Sequence, residues 1–184
     1  MGFNESEANR ETNTTIGDPR IRVNKTTSMT LSTSWQTLNF NGSSAYNINS
    51  FTTLPGQSNP SAWYDPTTSL FNFTPNGDRN YVLYITTSIT SNQLLSTLNL
   101  TSASLRLRLM IPSPTPVYFP GPDVGGYIDL GAVNLTGQRN DYQPIAFFAN
   151  SLIRQYGFSV QLCLSNAVLG TVTLNGADIN LFPT

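Results

Sequence analysis

Two stretches of the chain alternate strictly between apolar and polar side chains. From Ser104 to Ile111, the residues Leu105, Leu107, Leu109 and Ile111 fall on one face and Ser104, Arg106, Arg108 and Met110 on the other. That period of two is what a strand with one buried face imposes, because successive side chains point to opposite sides of a sheet. Over residues 80–91, Tyr81, Leu83, Ile85, Thr87 and Ile89 share one face and Val82, Tyr84, Thr86 and Ser88 the other, and the aromatic and β-branched content suits a pleated surface. Shorter strands are predicted at 21–23, 34–40, 46–51, 69–73, 142–149, 158–165 and 171–181. The last contains Asn175-Gly176, a hairpin dipeptide and a candidate interruption. Strands recurring about every 8 to 12 residues between turn clusters predict an all-β sandwich or barrel of roughly eight to ten strands. The single helix candidate is 150–156, two turns with Asn150 as N-cap and Gly157 as stop.

Two segments break the pattern. Residues 112–131 hold five prolines and four glycines, which bars most of the stretch from a central strand and predicts a long, stiffened crossover. Such a segment is either a rigid connector or a partner-contacting loop, and here it carries Tyr118 and Phe119 between prolines. Residues 1–19 contain all three glutamates and, besides Met1 and Ala8, only two apolar side chains, Phe3 and Ile16. They predict a flexible, solvated N-terminal arm preceding a single domain at 20–184.

Composition narrows the chemistry. Only 10% of the 184 residues are charged, whereas Asn, Ser and Thr supply about a third, so surface polarity is amide and hydroxyl rather than ionic. With nine basic and ten acidic residues, no basic face is expected to neutralise phosphates, and nucleic acid is not expected as a partner. The absence of histidine and the single cysteine, Cys163, remove imidazole base catalysis, histidine-ligated zinc and any internal disulfide. Cys163 sits between two leucines in a predicted strand and reads as a buried structural thiol. The seven aspartates stand mostly in turn contexts such as Tyr-Asp-Pro, where backbone hydrogen bonding favours them. No calcium loop or phosphate loop appears. The expectation is a protein that is not an enzyme, with no cofactor and no metal. The longest apolar runs are five residues, 81–85 and 145–149, so no membrane insertion is expected, and no secretory leader is read at the start.

The segment WYDPTTSLFNFTPNGDRNYVLYITTSIT (63–90) resembles the tumour-necrosis-factor-like trimeric jelly roll, also called the complement globular-head fold, of the kind found in phage virion proteins. Upstream, RIRVNKTTSMTLSTSWQTLNF is similar to the opening strands of those proteins, with Trp35, Thr37 and Phe40 in matching places. The sequence departs from that pattern in the spacing between Gly77 and Tyr81 and in the proline-rich 112–131 segment. The resemblance implies a jelly-roll sandwich that assembles as a homotrimer, with Tyr81, Tyr84 or Phe158 as candidates for an apolar axis. It also implies a structural virion protein, a capsid decoration or cement protein binding the outside of a viral shell, and the lack of any disulfide fits a virion protein made in the host cytoplasm. The alternative is a receptor- or glycan-binding head of a tail fibre or spike. The candidate partner-contact residues are Phe3 and Ile16 in the arm, Tyr118 and Phe119 in the proline-rich segment, and Arg106 and Arg108. The two arginines share one strand face, which is either simply solvated or ion-paired across a subunit interface with Asp129 or Asp141.

Overall fold

The computed structural model describes residues 21–40, 64–72, 79–93, 103–112, 114–119, 126–134 and 136–184. Within them the chain runs β1 (Ile21–Lys25), β2 (Met29–Thr30), β3 (Gln36–Thr37), β4 (Tyr64–Asp65), β5 (Leu70–Phe71), β6 (Arg79–Gln93), β7 (Ser104–Ile111), β8 (Val117–Phe119), β9 (Ile128–Ala132), β10 (Thr136–Ala149), α1 (Ser151–Tyr156), β11 (Ser159–Leu164) and β12 (Gly170–Pro183). The protein is an all-β sandwich of antiparallel strands. One sheet has the order β1-β12-β6-β10, with β2 beside β12; the other has the order β3-β11-β7-β8, with β9 beside β7. Strands β4 and β5 form a separate pair. The predicted strand at 46–51 and the arm at 1–19, with Phe3 and Ile16, lie outside the described residues.

The alternation sets the core directly. Leu105, Leu107 and Leu109 of β7 and Val160, Leu162 and Leu164 of β11 face Leu83, Ile85, Ile89, Val172, Ile179 and Leu181 of the first sheet, and all are buried. Tyr81 belongs to the inward set of β6 by parity, so it is buried too. Phe158 is likewise enclosed, against Phe71, Phe119 and Phe147. Neither ring is available to an axis between subunits, which corrects two of the three axis candidates. Tyr84, one position out of phase with the core, faces away from it.

The helix forms where its caps are encoded. Asn150 accepts the free N–H groups of Leu152 and Ile153, both at 3.1 Å, satisfying donors that the first turn leaves without partners. Gly157 ends it at φ +68°, where a Cβ would sit 2.5 Å from the Phe71 carbonyl oxygen. That close approach lets the chain turn straight into the Phe71–Phe158 bridge.

Four elements differ from the sequence expectation. Asn175-Gly176 is no hairpin: β12 continues along β6 through a register shift between Leu174 and Gly176, because pairing on both sides of the dipeptide outweighs its turn preference. The 112–131 segment is not an unbroken crossover; it contributes β8, paired with residues 109–111 of β7, and β9, paired with 104–107. Both lie on the edge of β7 opposite β11, the one place where flanking prolines cost no ladder hydrogen bond. The expected strand at 34–40 keeps ladder pairing only at Gln36–Thr37. Strand β10 begins six residues earlier than expected, its polar start pairing with the end of β6.

Candidate functional site: a guanidinium and aromatic cleft

On β7 the residues out of phase with the core are Ser104, Arg106, Arg108 and Met110, each partly exposed on the outer face of the second sheet. Cross-strand register places Gln161 beside Arg108 and Cys163 beside Arg106. Strand β3 sets Thr37 beside Gln161, and β8 sets Tyr118 beside Met110. Asp129 of β9 is opposite Arg106. The outer face is therefore built from five strands, β3, β7, β8, β9 and β11.

Arg108 is clamped. Its guanidinium carbon lies 4.1 Å from the centre of the Trp35 ring and 3.8 Å from that of Tyr118, a double stack in which each aromatic face attracts the cation. Its Nε donates to Gln161 Oε1 at 2.7 Å, and Gln161 Nε2 donates in turn to Thr37 Oγ1 at 3.1 Å. Burial lowers the pKa of Arg108 from its ordinary value, yet a guanidinium starts so high that it stays charged at neutral pH. Arg106 sits 4.6 Å from the Tyr127 ring centre. Its nearest carboxylate oxygen, on Asp129, is 3.9 Å from Nε, too far for a hydrogen bond. The other Asp129 oxygen accepts from the Gly131 N–H at 2.7 Å.

Trp35 and Tyr127 close the opposite wall, their rings 6.1 Å apart and inclined at 48°. Together with both arginines and Tyr118 they line an open cleft of about 590 Å3, with Cys163 among the residues that bound it. Gly126 makes the approach possible. It has φ +55°, and a Cβ there would lie 2.8 Å from Cβ of Tyr118, so a side chain at 126 would push the start of β9 off β8. Cys163 is buried beneath the arginines. Burial pushes its thiol pKa up, and the neighbouring positive charges of Arg106 and Arg108 only partly oppose the shift.

The structure thus brings Arg106, Arg108 and Tyr118 into one site. Phe119 is turned the other way by the alternation of β8 and packs against Phe147 and Phe158, 5.6 and 6.0 Å between ring centres. Within the chain, Arg106 approaches Asp129, and Asp141 is held by Arg139 at 2.6 Å. Arg139 also reaches the carbonyls of Leu130, Gly131 and Ala132, tying β9 to β10. Sequence reading did not find Trp35 and Tyr127. Their only local signal is a large aromatic among small polar residues or beside glycine, and their meeting depends on strands far apart in the chain.

The described residues contain no group of three side chains suited to hold a metal ion, and no described helix is long and apolar enough to cross a membrane.

No family model matches the sequence, and no curated protein matches it. Among solved structures, the chain is similar to the PRD1 vertex protein P5, with 13% sequence identity and a TM-score of 0.46 over 90% of this chain and 73% of that one. At that level the likeness carries no statement about function.

Proposed function

We propose that this chain is a structural protein of a virus particle, a jelly roll that assembles as a homotrimer and decorates or cements the outside of a phage-type shell. The observation that carries this reading is the outer face of the first sheet along β6 and β10. Tyr142, Pro144, Ala146 and Phe148 all point outward from β10, and Tyr142 and Phe148 are 63% and 51% exposed. They lie in register with Thr86, Tyr84, Val82 and Asn80, and Tyr84 stacks on Tyr142 with ring centres 5.6 Å apart. Aromatic carbon concentrated along a terminal strand of a sheet suits burial against a second copy of the chain. The passage of the chain between the sheets, from β9 to β10 to β11 to β12, supports the jelly-roll reading. Jelly rolls recur in viral capsid and lectin domains, which is analogy of fold and not of site. In this reading the arm, through Phe3 and Ile16, tethers the trimer to the shell.

Light scattering of the purified chain at micromolar concentration tests it. The expected mass is three times that of one chain, falling to one in a Tyr142→Glu, Phe148→Glu double variant whose circular dichroism matches the parent's and which still unfolds cooperatively, at a lower temperature because assembly no longer adds to stability. Interface aromatics of this kind each contribute on the order of 2 kcal/mol or more, enough for two substitutions to empty the trimer at that concentration. A monomeric parent chain overturns the reading. Copy number on bare capsids, with and without residues 1–19, then reports attachment.

A second reading, a receptor- or glycan-binding head, is favoured by the cleft of the second sheet, which lies on the face turned away from β6 and β10.

A further inference from the structure

The cleft has features that neither packing nor assembly through β10 requires. We propose that it is a binding site for a carboxylate-bearing sugar, one unit of an acidic glycan, whose carboxylate is received by Arg106 and Arg108 and whose ring lies against Trp35 and Tyr127. This deepens the glycan-binding reading and rests on it; it does not depend on the trimer.

Charge is the first argument. Two guanidiniums stand two residues apart on one strand face with one carboxylate near them, that of Asp129, which is 3.9 Å from Arg106 with its other oxygen already occupied by a backbone N–H. Among the described residues no carboxylate lies within ion-pair reach of Arg108, and Nε of Arg106 is buried without a hydrogen-bond partner. In a chain whose formal net charge is −1, this is a local positive excess facing an open cleft. A monoanion would neutralise it.

Preorganisation is the second. The Trp35 and Tyr118 rings both pack on the Arg108 guanidinium, and Gln161 occupies its Nε. The Tyr118 side chain also hydrogen-bonds the guanidinium, and the terminal N–H groups left over lie in the plane of the fork, the geometry in which a carboxylate is engaged. Because the side chain is already held, little rotamer entropy is lost on binding. Arg106, over the Tyr127 ring, brings a second set of donors.

The third argument is the apolar wall. The inclined Trp35 and Tyr127 rings offer electron-rich faces to the polarised C–H groups of a pyranose. The hydroxyl-bearing residues Thr33 and Ser165 also line the cleft, suiting a ligand with hydroxyls. A volume of about 590 Å3 lies in the range of small-molecule sites. A nucleic acid strand is less well served, since two arginines in a chain with balanced charge give no track for a phosphate backbone.

The test is a titration of the intact chain followed by nuclear magnetic resonance, reading the Trp35 indole N–H and the Arg108 Nε–H. The probes are the methyl glycosides of N-acetylneuraminic acid, glucuronic acid and glucose at millimolar concentrations. At least one acidic glycoside is expected to bind about tenfold or more tightly than methyl glucoside, the size of a charge-assisted hydrogen bond, and to weaken with added salt. Arg108→Gln and Arg106→Gln are each expected to lose about tenfold in affinity for it. Should Arg108→Gln disturb the stack and lower the melting temperature, Arg106→Gln decides, since Arg106 does not share that clamp. Equal binding of the glucoside and both acidic sugars overturns the carboxylate assignment and leaves a glycan-binding head standing. No response to any of the three overturns both.

Discussion

The outer faces of the two sheets are made from similar residues and have opposite characters. On the first sheet, Tyr84 and Tyr142 stack on each other and Phe148 stands half exposed, with Val82, Pro144 and Ala146 between them. On the second, Trp35, Tyr118 and Tyr127 interleave with Arg106 and Arg108. The first face lies on a terminal strand whose outer edge has no partner among the described strands. On the second, side chains from the flanking strands of the same sheet close over β11, so that even its outward residues, Ser159, Gln161 and Cys163, are buried. An aromatic surface left open invites another protein. The same aromatic carbon, propped apart by guanidiniums, makes a cleft with donors at its floor.

The largest expected effect fixes which side of β7 is which. Leu107→Ala removes a fully buried side chain from between the sheets and is expected to cost roughly 2 to 5 kcal/mol in urea titration. Arg106→Ala, on the outer side with its weak ion pair, is expected to cost under about 1 kcal/mol. Equal losses would mean that the cleft supports the fold as much as the core does, and the comparison of faces would collapse.

Trp35→Ala sharpens the contrast at intermediate size. It deletes one plate of the Arg108 stack and uncovers Gln161, so a loss of about 1 to 3 kcal/mol is expected from packing and cation–π attraction together. Tyr142→Ala, made in a monomeric Phe148→Glu background, is expected to change monomer stability by no more than about 0.5 kcal/mol. If Tyr142 matters to the monomer as much as Trp35 does, the first face is part of the fold and not a surface held for a partner.

The smallest effect concerns Cys163. Its folded pKa is raised by burial, so the folded state holds the thiol proton more tightly than the unfolded chain. The associated stability is fully present below the ordinary thiol pKa and is lost as pH rises through the folded value. Denaturant midpoints for the parent and Cys163→Ser are expected to differ in slope with pH only above about pH 9, where the unfolded thiol ionises. A thiol reagent at pH 8 is expected to react slowly with the folded chain and fast in urea. Fast reaction in the folded state would show that the cleft opens to Cys163.

Local rules carried the central elements. Alternation over Ser104–Ile111 placed β7 to the residue, because four apolar side chains of one parity allow only one register with respect to the core. The helix, with its Asn150 cap and Gly157 stop, was also legible, since capping is chemistry between neighbours. The polar start of β10 was not, because its pairing with β6 rests on backbone hydrogen bonds that no side-chain pattern announces. Nor were β8 and β9, where proline content argued against strands without regard to which edge they would occupy.

The amino-acid sequence by itself determined the class of fold, the faces of β7 and β6, the cap of the helix, the burial of Cys163 and the lack of any histidine, all of which follow from residue type and spacing of a few positions. Only the tertiary structure decided that Trp35, Arg106, Arg108, Tyr118 and Tyr127 share one cleft and that Phe119 leaves it for the core. The physical reason is range. Parity along a strand says which way a side chain points, but what it meets there is set by strands paired across a hundred residues and by a glycine, Gly126, that lets the start of β9 lie against Tyr118.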